Sequence, residues 1–158
     1  MRHLPKHLRP RYRYLAVEIE TWPEAVLETR AFQESVWSAS RSLLGDAASA
    51  AVDLQVVEAA FTAGGGSAIV RVRRDAVERA RSALACLMSV DGTPVRIGVR
   101  GVGGTIRAVE EHYRDGPPEP TGWEPVEYRG EHGTAVSRED RVDVDLGDAF
   151  VGTTPQEL

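Results

Sequence analysis

Apolar and polar positions alternate from Arg11 to Ile19, with Leu15, Val17 and Ile19 on one side and Tyr12, Tyr14, Ala16 and Glu18 on the other. A period of two is that of a half-buried strand. The period then lengthens. Thr21-Trp22-Pro23-Glu24 reads as a helix start, and Phe32, Val36, Ala39 and Leu43 follow at three- and four-residue spacing until Gly45, which predicts a long amphipathic helix. Leu54 to Thr62 and Ser67 to Arg73 are β-rich runs around Ala63-Gly64-Gly65-Gly66, the pattern of an antiparallel hairpin. Asp75, with Glu78 three residues on, reads as the cap of a second helix with the stripe Val77, Ala80, Leu84 and Leu87. Cys86 beside that stripe reads as a buried packing thiol. After the Asp91-Gly92 turn, Val95, Ile97 and Val99 alternate with Arg96, Gly98 and Arg100. Beyond Gly101-Val102-Gly103-Gly104, Thr105 caps a third helix bearing Ile106, Val109 and Tyr113.

The order βαββαβ plus a terminal helix predicts an α+β sandwich of ferredoxin-like or RNA-recognition-like topology. It would have a four-stranded antiparallel sheet, helices on one face, an extra C-terminal helix and an acidic tail. Residues 1–14 form a basic arm overlapping a domain at 11–115. From Pro117 onward four prolines arrive within nine residues and acids dominate, so 116–158 is expected to be a disordered tail. Within it Val142-Asp143-Val144-Asp145-Leu146 alternates strictly, the pattern of an edge strand or of a segment that docks on a partner.

Charge separates the same two regions. Residues 1–115 carry 16 Lys and Arg against 14 Asp and Glu, whereas 116–158 carry 3 against 10. Arg2, Lys6, Arg9, Arg11 and Arg13 fall in the first 17 residues with no acid among them. The longest run without a charge, Ala59 to Val70, is far short of the roughly 18 apolar residues of a membrane span. With no apolar stretch behind the basic N-terminus, secretion is not expected. The single cysteine fits a reducing, cytoplasmic setting.

Chemistry is sparse. No nucleophile stands with a base, and His3 and His7 are separated by Pro5, which opposes the helix that would align them as metal ligands. His112 and His132 read as solvated. Asp143, Asp145 and Asp148 hold the oxygen donors a divalent ion prefers, without the spacing of a calcium loop. Gly101, Gly103 and Gly104 either permit a tight strand-to-helix turn or present N–H groups to a phosphate between Arg100 and Arg107. Tyr12 and Tyr14 fit a protein interface better than base stacking, because the third strand carries no aromatic residue.

Two motifs carry a resemblance. Leu4-Pro5-Lys6-His7-Leu8-Arg9-Pro10-Arg11-Tyr12-Arg13-Tyr14-Leu15 and Val102-Gly103-Gly104-Thr105-Ile106-Arg107 resemble the Pop-five family, component 2 of archaeal ribonuclease P, over about residues 1–115. The resemblance implies a subunit of the RNA-based endonuclease that removes the 5′ leader from precursor tRNA. It implies the ribonuclease P RNA, a thirty-kilodalton protein component and the other ribonuclease P proteins as partners, with precursor tRNA met indirectly and no membrane. It also implies catalytic magnesium on the RNA, with no cofactor and no catalytic residue on this chain. Gly103 stands where the family usually has serine, and the tail has no counterpart in the family core.

On this reading Lys6, Arg9, Arg11, Arg13, Arg100, Gly104, Thr105 and Arg107 are the expected RNA contacts. Two other readings stay open. One is a regulatory dimer binding a small molecule at Gly101 to Thr105. The other is a small nuclease using magnesium at Asp143, Asp145 and Asp148.

Overall fold

A computed structural model describes residues 4–113, 115–147, 149–153 and 155–158; Arg2, His3 and Asp148, singled out above, lie outside them. In chain order the elements are β1 (Tyr12–Glu20), α1 (Thr29–Leu44), α2 (Asp46–Val52), β2 (Gln55–Thr62), β3 (Gly65–Arg73) and α3 (Val77–Ala85). They continue with β4 (Ser89–Val90), β5 (Thr93–Pro94), β6 (Arg96–Gly103), α4 (Ile106–His112), β7 (Gly122–Tyr128), β8 (Glu131–Ser137), β9 (Val142–Asp145) and β10 (Phe150–Thr153). Short 3-10 turns occupy Lys6–Leu8, Arg74–Ala76 and Pro155–Glu157.

The first sheet runs β2-β3-β1-β6 with every neighbour antiparallel. The alternation read in β1 decides what each face buries. Leu15, Val17 and Ile19, with Val70 and Val72 of β3, pack against Phe32 and Val36 of α1 and Ala80 and Leu84 of α3. Phe32 meets Phe61 edge-on, 5.5 Å between centroids, and its full burial stabilises the fold by about 1.5–3 kcal/mol. On the reverse face Ala16 and Ile69 meet Val109 of α4. The β2–β3 turn depends on glycine: Gly64 and Gly65 have φ of +91° and +135°, and a β-carbon at Gly65 would collide with the Ile19 carbonyl.

Several local expectations are corrected. Helix α1 starts at Thr29 rather than after Pro23, because Gly64 N–H donates to the Ala25 carbonyl (3.0 Å) and Ala25 N–H to that of Trp22 (3.0 Å), tying 22–25 to the hairpin tip as a turn. Asp75 lies in a 3-10 turn, and the cap position of α3 falls to Ala76, which has no side-chain bond to give. Cys86 sits at the C-terminal end of α3 and is exposed rather than packed.

The largest correction is the tail. Residues 122–153 form a second antiparallel sheet, ordered β10-β9-β8-β7, in which Val142 to Asp145 is an inner strand and not an edge. Arg129 and Gly130, both at positive φ, turn β7 into β8 as a two-residue hairpin loop requires. Tyr128, Ala135, Val136, Val142 and Val144 are buried. Acids far outnumber basic residues here, yet the apolar residues fall where the ladder buries them, and pairing then satisfies the backbone.

Candidate nucleic-acid interface

Three strand ends meet at one edge of the first sheet. Tyr12 faces Arg73 and Tyr14 faces Arg71 across the β1–β3 ladder, while Tyr14 faces Gly103 on the β6 side. The arm joins them, since Arg74 N–H donates to the Arg11 carbonyl (2.9 Å). The register therefore brings Arg11, Arg13, Arg71, Arg73 and Arg74 to the edge where the Gly103-Gly104-Thr105 turn emerges. Arg9 Nε donates to the Leu4 carbonyl (2.8 Å) and Arg13 Nη1 to that of Tyr12 (3.1 Å), which fixes both without neutralising them. Arg71 and Arg73 lie over the Tyr12 ring at 4.3 and 5.1 Å from its centroid, a cation–π arrangement that holds the guanidinium groups in place. Arg73 also meets Asp53 at 3.6 Å.

At the turn, Thr105 Oγ1 accepts from Ala108 N–H (3.1 Å), so its hydroxyl closes the first turn of α4 as the sequence led one to expect. Gly104 is exposed with open space about it. Gly101 and Gly103 have a different reason to be glycine, because a β-carbon on either would collide with the Tyr113 ring or the Val109 side chain of the α4 segment. Arg107 is exposed and pairs with Glu111 one turn on (2.8 Å).

Arg100 is drawn elsewhere. It bonds Glu18, which together with Glu20 receives Arg141 from the second sheet. Arg96 bonds Glu20, and its Nη1 lies 2.9 Å from Asp143 Oδ1 without hydrogen-bond alignment. Arg138 completes this seam through Asp143, 3.1 Å away. Burial raises the Glu20 carboxyl, but Arg141, Arg96 and Arg138 together hold it below its ordinary value. A cavity of about 360 Å³ opens between α4 and the sheet beside this seam, lined by Glu18, Glu58, Arg100, Glu110 and Tyr113 among others. A hydrogen bond to Glu110 raises the Glu58 carboxyl above its usual range. Asp143, offered as a metal ligand by the sequence, is turned to Arg96 and Arg138, and Asp145 accepts from Gly147 N–H (2.6 Å).

A profile of the Rpp14/Pop5 family matches residues 13–114. The chain belongs to the Rpp14/Pop5 family. "Ribonuclease P protein component 2" of Natronomonas pharaonis is 49% identical over 158 residues, covering 100% of this chain and 98% of that protein. The protein of the same name from Haloarcula marismortui is 51% identical over 156 residues, covering 98% and 97%. That from Thermococcus kodakarensis is 32% identical over 112 residues, covering 71% of this chain and 90% of its own. Among solved structures, a chain in the cryo-EM structure of yeast ribonuclease MRP shares the fold with a TM-score of 0.50 at 12% identity, over 61% of this chain and 76% of that one.

The Rpp14/Pop5 match runs from residue 13 to 114, so Arg13, Arg71, Arg73, Arg74 and the Gly103-Gly104-Thr105 turn lie inside it and the arm through Tyr12 and the second sheet outside it, although the Natronomonas and Haloarcula proteins match through that sheet as well. The sequence singled out the arm and the turn as candidates. It did not single out Arg71 and Arg73, which join the same cluster and whose signal was their alternation with the buried Val70 and Val72 on a strand that the hairpin returns beside β1. Among the described residues, no helix is long and apolar enough to cross a membrane.

Proposed function

We propose that this chain is a protein subunit of ribonuclease P, supporting the RNA-catalysed removal of the 5′ leader from precursor tRNA. The observation that carries the reading is identity of 49% or more to proteins named ribonuclease P protein component 2 along nearly the whole of both chains. In this reading the β2-β3-β1-β6 sheet with its helices is a ferredoxin-like βαββαβ domain. The basic edge lies against the ribonuclease P RNA. Lys6, Arg9, Arg11 and Arg13 meet phosphates from the arm, and Arg107 with the Gly104-Thr105 backbone meets them from the turn. Arg100 is left out, because Glu18 already balances its charge. Catalytic magnesium belongs to the RNA, and the chain supplies no reacting group. The thirty-kilodalton component is its protein partner, other ribonuclease P proteins complete the particle, and the whole works in the cytoplasm.

The test is gentle purification of the tagged protein from its own cell and sequencing of the RNA that comes with it. Enrichment of one structured RNA with precursor-tRNA cleavage in the eluate is the expected result. An eluate without RNA at low salt overturns the proposal.

A further inference from the structure

Among the described residues, arginines withdrawn from water have acids to meet, with two exceptions, Arg13 and Arg71, and Arg71 alone of the two has a buried N–H without an acceptor. Arg96, Arg138 and Arg141 each contact a carboxylate, and Arg73 has Asp53. Among the described residues no carboxylate pairs with Arg71. Its Nη2 donates to Gln55 Oε1 (2.8 Å), its guanidinium carbon stands 4.3 Å from the Tyr12 ring centroid, and its Nε–H is buried without an acceptor. Buried donors are nearly always satisfied, so this N–H on a cation is hydrogen-bonding capacity that the fold itself does not use. Gln55 and Tyr12 hold the group still, which lowers the entropy lost when a partner arrives.

The acceptor that best suits a guanidinium with no carboxylate beside it is an anion with oxygen atoms. Arg73 shares the Tyr12 ring, and Arg74 is tied to Arg11, so Arg71 is the inner member of a row of cations rather than a solitary charge. One small anion would need one such arginine, whereas a row matches a polymer that carries a charge on every unit. A guanidinium also fits a phosphate with two parallel N–H bonds.

We propose that Arg71, held by Gln55 and Tyr12 at the end of β3, is a binding site for a phosphate group of RNA. The choice of RNA rests on the ribonuclease P reading; the unpaired guanidinium at Arg71 does not.

The test titrates the full-length chain with a transcript of the ribonuclease P RNA from its own cell across a series of KCl concentrations. Arg71→Gln weakens binding about tenfold and flattens the slope of log affinity against log salt by about 0.7–0.9, one phosphate contact. Arg30→Gln on the outside of α1 changes neither. Arg71→Lys keeps the charge and hence the slope but binds more weakly, and this variant decides the matter if Arg71→Gln does not fold. Affinity and slope equal to the wild type in Arg71→Gln overturn the site. So does a thermal midpoint raised by inorganic phosphate only when Arg71 is present while RNA affinity ignores the substitution, which assigns the site to a free anion. A wild-type chain that fails to bind the transcript overturns the ribonuclease P reading instead, and the RNA assignment falls with it.

Discussion

Arg138 Nε lies 3.1 Å from Asp143 Oδ2, and both side chains are sealed from solvent. The same guanidinium donates to the carbonyls of Pro118 (2.6 Å), Thr21 (3.1 Å) and Gly64 (3.1 Å). One side chain thus joins the second sheet to the end of β1 and to the β2–β3 turn, and all its hydrogen bonds are made inside the protein.

Arg138→Ala should therefore be severe. It leaves buried Asp143 with Arg96 as its remaining cation and strips the Pro118 and Thr21 carbonyls of their donor, while Gly64 keeps Thr21 N–H, a loss of about 3 kcal/mol. Arg138→Met combined with Asp143→Leu should cost much less, because no buried charge is left unpaired. Urea unfolding of both proteins measures the difference. A loss under about 1 kcal/mol for Arg138→Ala, the size of a surface ion pair, would mean that the second sheet does not dock through this contact.

Asp143 also gives the seam a pH dependence. Burial, opposed by Arg96 and Arg138 and reinforced by Glu20, pushes its carboxyl up to about 6 from an ordinary 3.8. The folded value is the higher one, so its contribution to stability is full below the unfolded value and is lost as pH rises through about 6. Glu20, held below its ordinary value, works the other way: its contribution is present above that value and is lost as pH falls through the folded one. Thermal midpoints measured from pH 4 to pH 7 should show Asp143→Asn without the decline that Asp143 imposes on the wild type. Superimposable profiles would remove Asp143 from the titration.

Legibility followed the range of the interactions. The β1 alternation, the glycine turn between β2 and β3 and the Thr105 cap each depend on residues a few positions apart, so all three could be read from the chain. The second sheet could not. Its strands are short, its buried side chains are mostly valine and alanine, and Arg138 meets Thr21 across 117 positions. The site divides the same way. Arg11 and Arg13 stand out in an acid-free arm, but Arg71 acquires its meaning from the β1–β3 register, and Arg100 was read as a free cation because Glu18 becomes its neighbour only across the β1–β6 ladder.

That last difference can be measured. Arg100 is half exposed and paired, whereas Arg13 is held by a backbone carbonyl alone among its hydrogen bonds. Arg100→Gln should lower stability by about 0.2–1 kcal/mol and leave the salt dependence of RNA binding unchanged. Arg13→Gln should do the reverse, flattening that dependence by about 0.7–0.9. A flattened slope in Arg100→Gln would return Arg100 to the RNA surface and show that Glu18 releases it on binding.

Gly101 distinguishes a packing glycine from a ligand loop. The tip of the Tyr113 ring occupies the space where its β-carbon would stand, so Gly101→Ala must push the ring aside, at about 1–3 kcal/mol. If the ring is the obstacle, Tyr113→Ala makes room for the new methyl group. The double variant should then be more stable than the two single losses added together, by about 0.5–3 kcal/mol, the range of coupling between residues in contact. Urea unfolding of the four proteins closes the cycle. Strictly additive losses would show that Gly101 is glycine for some reason other than Tyr113, and would reopen the loop at Gly101 to Thr105 as a place where a ligand sits.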